Sequence, residues 1–120
     1  MTETLNAGQT LTAESGSGIA VERLLGSGGQ GEVYQVQWQG KPFALKWYYP
    51  HTATDGQLRN LRELVRRGSP DPRFLWPLDV VPPGPGPAGY GYLMRLRGAE
   101  YRGIIDLMAR RSEPTFRVLA

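Results

Sequence analysis

Two features of this sequence could do chemistry together. The first is the glycine-rich stretch Gly26-Ser27-Gly28-Gly29-Gln30-Gly31. The second is Lys46, set inside the apolar run Phe43-Ala44-Leu45-Lys46-Trp47-Tyr48. Glycines remove Cβ atoms, so backbone N–H groups can approach an anion closely and positive φ angles cost little. A lysine adds a compact point charge. It needs a partner when it sits in an apolar strand, because an ammonium is expensive to desolvate. Lys41 and Lys46 are the two lysines of a chain otherwise supplied with arginine. Glycine backbone plus one strand lysine is chemistry suited to binding phosphate groups.

The flanking residues separate the glycine patterns that do this. A Walker loop needs G-x-x-x-x-G-K-S/T, and Gly26 and Gly31 have its spacing. Glu32 and Val33 stand where the lysine and hydroxyl should be, and an anion there would repel phosphates. The dinucleotide fingerprint G-x-G-x-x-G must open a helix. Here Val33-Tyr34-Gln35-Val36-Gln37-Trp38-Gln39 follows, alternating apolar and polar with Tyr34, Val36 and Trp38 on one side, which predicts a strand. What remains is strand, glycine-rich hairpin, strand, then a third strand bearing a lysine, the arrangement of the nucleotide lid of protein kinases. In that arrangement Val33 would cover one face of adenine and Lys46 would reach the α and β phosphates. The plainer alternative is a glycine-rich hairpin with one exposed lysine.

The elements that must position these groups can be read from the same pattern. Residues 1–7 read as disordered, and Gln9–Ala13 as a short extra strand before the turn Glu14-Ser15-Gly16-Ser17-Gly18. Ile19–Leu25 leads into the glycine loop, and Gln39-Gly40-Lys41 turns the chain into the third strand, Phe43–Tyr48. Period two puts Ala44, Lys46 and Tyr48 on one face and Phe43, Leu45 and Trp47 on the other. Thr54 or Asp55 caps a helix to about Arg67, with Leu58, Leu61, Leu64 and Val65 as its apolar stripe and Gly68 ending it. Phe74–Val81 is predicted as a fourth strand, edge or bulged because of Pro77, and Tyr90–Leu96 as a fifth. Tyr101–Arg111 then reads as a helix, and Pro114 as the start of another. His51 reads as loop surface.

Composition narrows the function class. At 120 residues the chain is one domain at most. Apolar residues make up 40%, with three tryptophans, six tyrosines and three phenylalanines to fill a modest core. The net charge of +3 is spread over scattered arginines, without the basic stripe a nucleic-acid interface would need. The chain has no cysteine, hence neither a disulfide framework nor a thiolate metal site. Residues 1–18 lack the pattern of a signal peptide, and no apolar run reaches membrane-spanning length, so a cytoplasmic location is expected.

The strings L-G-S-G-G-Q-G-E-V-Y at Leu25–Tyr34, A-L-K-W-Y at Ala44–Tyr48, F-L-W-P-L-D at Phe74–Asp79 and G-Y-L-M-R-L-R at Gly91–Arg97 resemble a subgroup of bacterial Ser/Thr protein kinase-like proteins. The resemblance covers roughly residues 19–120. It implies an α+β fold, the kinase N-terminal lobe: a five-stranded antiparallel sheet with one packed helix, followed by the first helices of the large lobe. The implied division is 1–18 as a flexible terminus with a possible extra strand, 19–98 as the ATP-binding lobe, and 99–120 as the start of the large lobe. The resemblance further implies that Gly26, Ser27, Gly28, Gly29 and Gly31 form the phosphate cradle, and that Leu25, Val33 and Ala44 sandwich the adenine. Met94 would close the back of the pocket, and Arg95, Leu96 and Arg97 would form the hinge, read through its backbone. Glu63 is the candidate helix partner of Lys46, though Arg59, Arg62, Arg66 and Arg67 around it equally suit a surface glutamate. Glu100 and Asp106 could reach ribose hydroxyls or be solvated surface.

The chain carries no H-R-D-x-x-x-x-N loop, no D-F-G triad and no A-P-E segment. It therefore holds neither the residue that orients a substrate hydroxyl nor the carboxylates that hold Mg²⁺ in a complete kinase. The expectation is an ATP-binding lobe of a protein kinase that is inactive by itself. The alternative is a non-catalytic kinase-like docking or regulatory module.

Overall fold

The computed structural model describes residues 4–71 and 75–96. The chain runs β1 (Thr10–Thr12), β2 (Gly18–Ser27), β3 (Gly31–Trp38), β4 (Lys41–Tyr48), a 3₁₀ turn (Pro50–Thr52), α1 (Asp55–Arg67), β5 (Asp79–Val81) and β6 (Tyr90–Met94). Among the described residues the fold is α+β: one antiparallel sheet in the order β1-β2-β3-β4-β6-β5, with one α-helix. The described residues hold six strands rather than five, because the short N-terminal strand pairs along β2, Leu11 opposite Ile19. The sheet curls toward a barrel. Just past β1, the Glu14 amide donates to the Val80 carbonyl of the far edge strand at 2.7 Å. Arg62 of α1 reinforces that meeting with a two-pronged ion pair to Glu14, 2.6 Å at its shortest.

The alternation read from the sequence sorts side chains onto two faces. Tyr34, Val36 and Trp38 of β3, Leu45 and Trp47 of β4, Leu93 of β6 and Val81 of β5 form one apolar cluster. Val33, Ala44, Tyr48, Tyr90, Tyr92, Met94 and Val80 form the other, covered by Leu58 and Leu61 of α1. The β3–β4 turn works because Gln39 and Gly40 both take positive φ, 54° and 76°, the pairing that matches strand twist in a two-residue hairpin. α1 starts as expected: Thr54 is extended, and its hydroxyl accepts the Gln57 amide at 3.2 Å.

Three expectations differ from the structure. Leu5, expected in a disordered stretch, is fully buried among the β2–β3 side chains. The predicted strand from Phe74 shortens to Asp79–Val81. Leu75, Trp76 and Pro77 precede it as non-strand chain, with the Trp76 indole donating to the Leu64 carbonyl at 2.7 Å. Pro77 explains the late start, since it has no N–H to give a ladder. The last strand stops at Met94 rather than Leu96. The helices read over 101–111 and from Pro114 lie outside the described residues, as does Arg97. Among the described residues no helix is long and apolar enough to cross a membrane.

Candidate functional site

The glycine-rich stretch is the tip of the β2–β3 hairpin. The Gly28 amide donates to the Gly31 carbonyl at 2.9 Å, closing the turn around Gly29 and Gln30. The Gln30 carbonyl accepts from the Tyr49 amide at 2.9 Å and the Thr52 hydroxyl at 2.7 Å. The hairpin tip is thereby tied to the chain that leaves β4, the strand carrying Lys46. Gly31 has a packing reason to be glycine that motif reasoning does not contain: a Cβ there would overlap the Trp47 carbonyl oxygen. At Gly29 an added Cβ would meet nothing within 4 Å.

Two irregularities in β2 aim the side chains before the tip. The pairing of β2 with β3 slips between Val21 and Arg23 and again between Leu24 and Gly26. The first slip reverses the alternation set by Ile19 and Val21, so Leu24 joins their face and Leu25 turns to the other. Leu24 packs with the Tyr34–Trp47 cluster and Leu25 with the Val33–Met94 cluster. The structure thus brings Leu25, Val33, Ala44 and Met94 onto one face, with Leu96 packed against them. Across the sheet Gly26 stands opposite Val33, Val33 opposite Lys46, and Ala44 opposite Met94. Ser27 is exposed at the end of β2, and Arg95 is exposed just past β6.

Lys46 is fully buried, which removes the alternative of an exposed lysine on a glycine hairpin. Desolvation pushes its pKa from 10.5 down to about 7, so its charge state is poised near neutrality. Its Nζ lies 4.8 Å from the centre of the Tyr48 ring, within cation–π range. Lys46 also stands opposite Tyr92 of β6. Tyr48 contacts the rings of Tyr90 at 5.7 Å and Tyr92 at 6.2 Å. Burial raises the hydroxyl pKa values of Tyr48 and Tyr92 well above the ordinary value and that of Tyr90 to about 12. These three phenols therefore stay neutral where Lys46 titrates.

Glu63 is placed with Arg66 and Arg67, the latter at 3.0 Å, on a face where its side chain is 39% exposed. Hydrogen bonds from Arg66 and Arg67 lower its pKa. Of the two readings open in the sequence, this arrangement is the glutamate among local arginines. His51 is exposed, as expected, with its ring stacked on Tyr49. Glu100 and Asp106 lie outside the described residues.

Sequence reasoning put Tyr48 on the Lys46 face but gave it no role; its ring is what meets the lysine ammonium, a contact that the two-residue spacing on one strand face makes readable. Comparison with protein-family models and with curated proteins returns no match.

Proposed function

We propose that this chain is the ATP-binding small lobe of a protein serine/threonine kinase. The observation that carries the reading is the position of Lys46: a buried ammonium in the strand register directly opposite Val33, two residues past the hairpin's last glycine. A bare hairpin has no use for a charge so costly to bury. Beside it, Leu25, Val33, Ala44 and Met94 share one apolar cluster, the chemistry an adenine ring needs. The antiparallel sheet with one helix inserted after the lysine strand also agrees with the small-lobe reading.

The residues fit a nucleotide in kind. Leu25, Val33, Ala44 and Met94 would hold the base by apolar contact. The backbone after Met94, at Arg95 and Leu96, would pair with its polar edge. Lys46 would neutralise phosphate oxygens as a point charge. The Gly28 amide is already donated to Gly31, so the Gly29 amide is the better-placed loop donor. ATP supplies the transferable phosphoryl group. The groups that move it, with Mg²⁺, would belong to the complete kinase, and the isolated chain is expected to bind weakly and turn nothing over.

The test is thermal stabilisation by ATP at millimolar concentration, measured for the parent chain and for Lys46→Met. A ligand that binds the folded state raises its stability by mass action. The proposal requires a rise in Tm for the parent that is absent in Lys46→Met. Equal rises in both proteins would remove Lys46 from the site, and no rise in either would favour a docking module.

A further inference from the structure

Past the last pair of the β3–β4 ladder, Gly31 opposite Tyr48, the two chains do not separate at once. The Tyr49 amide donates to the Gln30 carbonyl at 2.9 Å, one step beyond the ladder, and the Thr52 hydroxyl donates to the same oxygen at 2.7 Å. Thr52 ends the 3₁₀ turn Pro50–Thr52, and its amide donates to the Tyr49 carbonyl at 2.9 Å. The connection that carries it is fixed on its far side too. There the Tyr90 hydroxyl donates to the Thr54 carbonyl at 2.7 Å, and Ala53 packs against the Val33–Met94 cluster. The hairpin tip is thus held by a side chain from the anchored connection between the lysine strand and α1.

A threonine hydroxyl has one proton to give, and this one has two acceptors in reach: the Gln30 carbonyl at 2.7 Å and the Tyr49 carbonyl of its own turn at 3.0 Å. Bonded to Gln30, it holds the tip down. Turned to Tyr49, it lets the tip lift and still has a partner, so release leaves no hydroxyl unsatisfied. The base of the hairpin stays in place, because Gly31 is packed onto the Trp47 carbonyl too closely even for a methyl group. Movement is confined to the tip, where Gly29 faces open space.

We propose that Thr52 is a positioning residue for the glycine hairpin: its hydroxyl latches the tip to the β4–α1 connection through the Gln30 carbonyl, and releases it by turning to the Tyr49 carbonyl. A latched tip has lost its conformational freedom before a phosphate arrives, which favours binding by preorganisation. Thr52 acts through Gln30 and touches no ligand. The inference rests on reading the hairpin as the phosphate lid, and its first readout needs no nucleotide.

The test is hydrogen exchange at the Tyr49 amide, with ATP affinity measured beside it. Thr52→Val keeps the shape of the side chain and removes the hydroxyl. It should speed Tyr49 exchange, relative to amides of the sheet core, by roughly twofold to tenfold, the worth of one net hydrogen bond. The ATP dissociation constant should rise by a similar factor. Thr52→Ser restores the hydroxyl and should return both quantities to near the parent values. Thr54→Ala removes a hydroxyl of the same connection that serves the Gln57 amide instead, and should leave Tyr49 exchange unchanged.

The inference is overturned if Thr52→Val exchanges at Tyr49 as the parent does, if Thr52→Ser fails to restore what Thr52→Val loses, or if Thr54→Ala speeds Tyr49 as much. Equal ATP affinity in the parent and Thr52→Val, with Tyr49 exchange differing, also removes the positioning role. If Thr52→Val speeds Tyr49 while the parent binds no ATP, the latch stands and the nucleotide reading fails.

Discussion

The Tyr34 hydroxyl donates to the Glu32 carboxylate at 2.5 Å, and both residues are buried in the strand that leaves the glycine hairpin. The same hydroxyl accepts the Leu5 amide at 3.0 Å, and Glu32 also accepts the Thr4 amide at 3.1 Å. The N-terminal segment is thereby fastened to the base of the hairpin by polar groups taken out of water. Tyr34→Phe leaves Leu5 and Glu32 without that partner and should cost about 1–3 kcal/mol. Leu5→Ala should cost about 2–5 kcal/mol, as large-to-small changes at fully buried sites do. Urea unfolding checks both, with the midpoint moving and the slope unchanged.

Two glycines of the hairpin should respond in opposite ways. At Gly31 a methyl group would collide with the Trp47 carbonyl, so Gly31→Ala must separate β3 from β4. Gly29 faces open space, and Gly29→Ala should fold with nearly the parent Tm. Overpacking of this kind typically costs about 1–3 kcal/mol, and here the obstacle is backbone rather than a flexible side chain. Circular dichroism melts of the two variants give the comparison. A loss at Gly29 equal to that at Gly31 would contradict the close packing.

Burial of Lys46 makes stability depend on pH in a defined direction. Its folded-state pKa of about 7 lies below the ordinary 10.5. Between those values the unfolded chain binds a proton that the folded chain does not, so stability rises as pH climbs through that window. Below about 7 both states are protonated and the penalty of burying the charge is fully present. Relative to Lys46→Met, the parent should gain stability at up to roughly 1.4 kcal/mol per pH unit inside the window. Paired denaturation curves across it isolate the lysine from other groups. Parallel pH dependences in the two proteins would mean that Lys46 keeps its ordinary pKa.

The first turn of α1 carries both a cap and a tyrosine contact. Thr54→Ala removes the acceptor for the Gln57 amide and should cost about 1 kcal/mol. Thr54→Ser keeps the oxygen and should recover most of it. Hydrogen exchange should quicken first at the helix start in the alanine variant.

Much of the site was legible in the sequence because strand alternation is strict. Once Val33, Ala44 and Lys46 are assigned to strands, their shared face follows from period two. Leu25 also reaches that face, but for a reason no alternation shows: a slip in the β2–β3 register redirects it, and motif spacing alone pointed to it. Leu5 was illegible because a single leucine among polar residues carries no period. Its burial depends on a tyrosine hydroxyl twenty-nine positions away. The short strand at Asp79 was partly legible through Pro77, which signalled irregular pairing without fixing where pairing begins. Glu63 shows the opposite failure. Residue type and spacing suit a lysine partner, and the helical angle that turns it away from the Leu58–Leu61 stripe had to be weighed against them.

The most direct test of the account is titration of ATP into the parent chain and Lys46→Met, following the ¹³Cε signal of Lys46 in the parent and backbone amide shifts in both. The account predicts saturable shifts at Gly29, Gln30, Val33, Ala44 and Met94, a Lys46 midpoint raised by the phosphates, and loss of saturation in Lys46→Met. Shifts absent from these residues, or equal saturation in both proteins, would contradict the claim that Lys46 and the glycine hairpin form a nucleotide site.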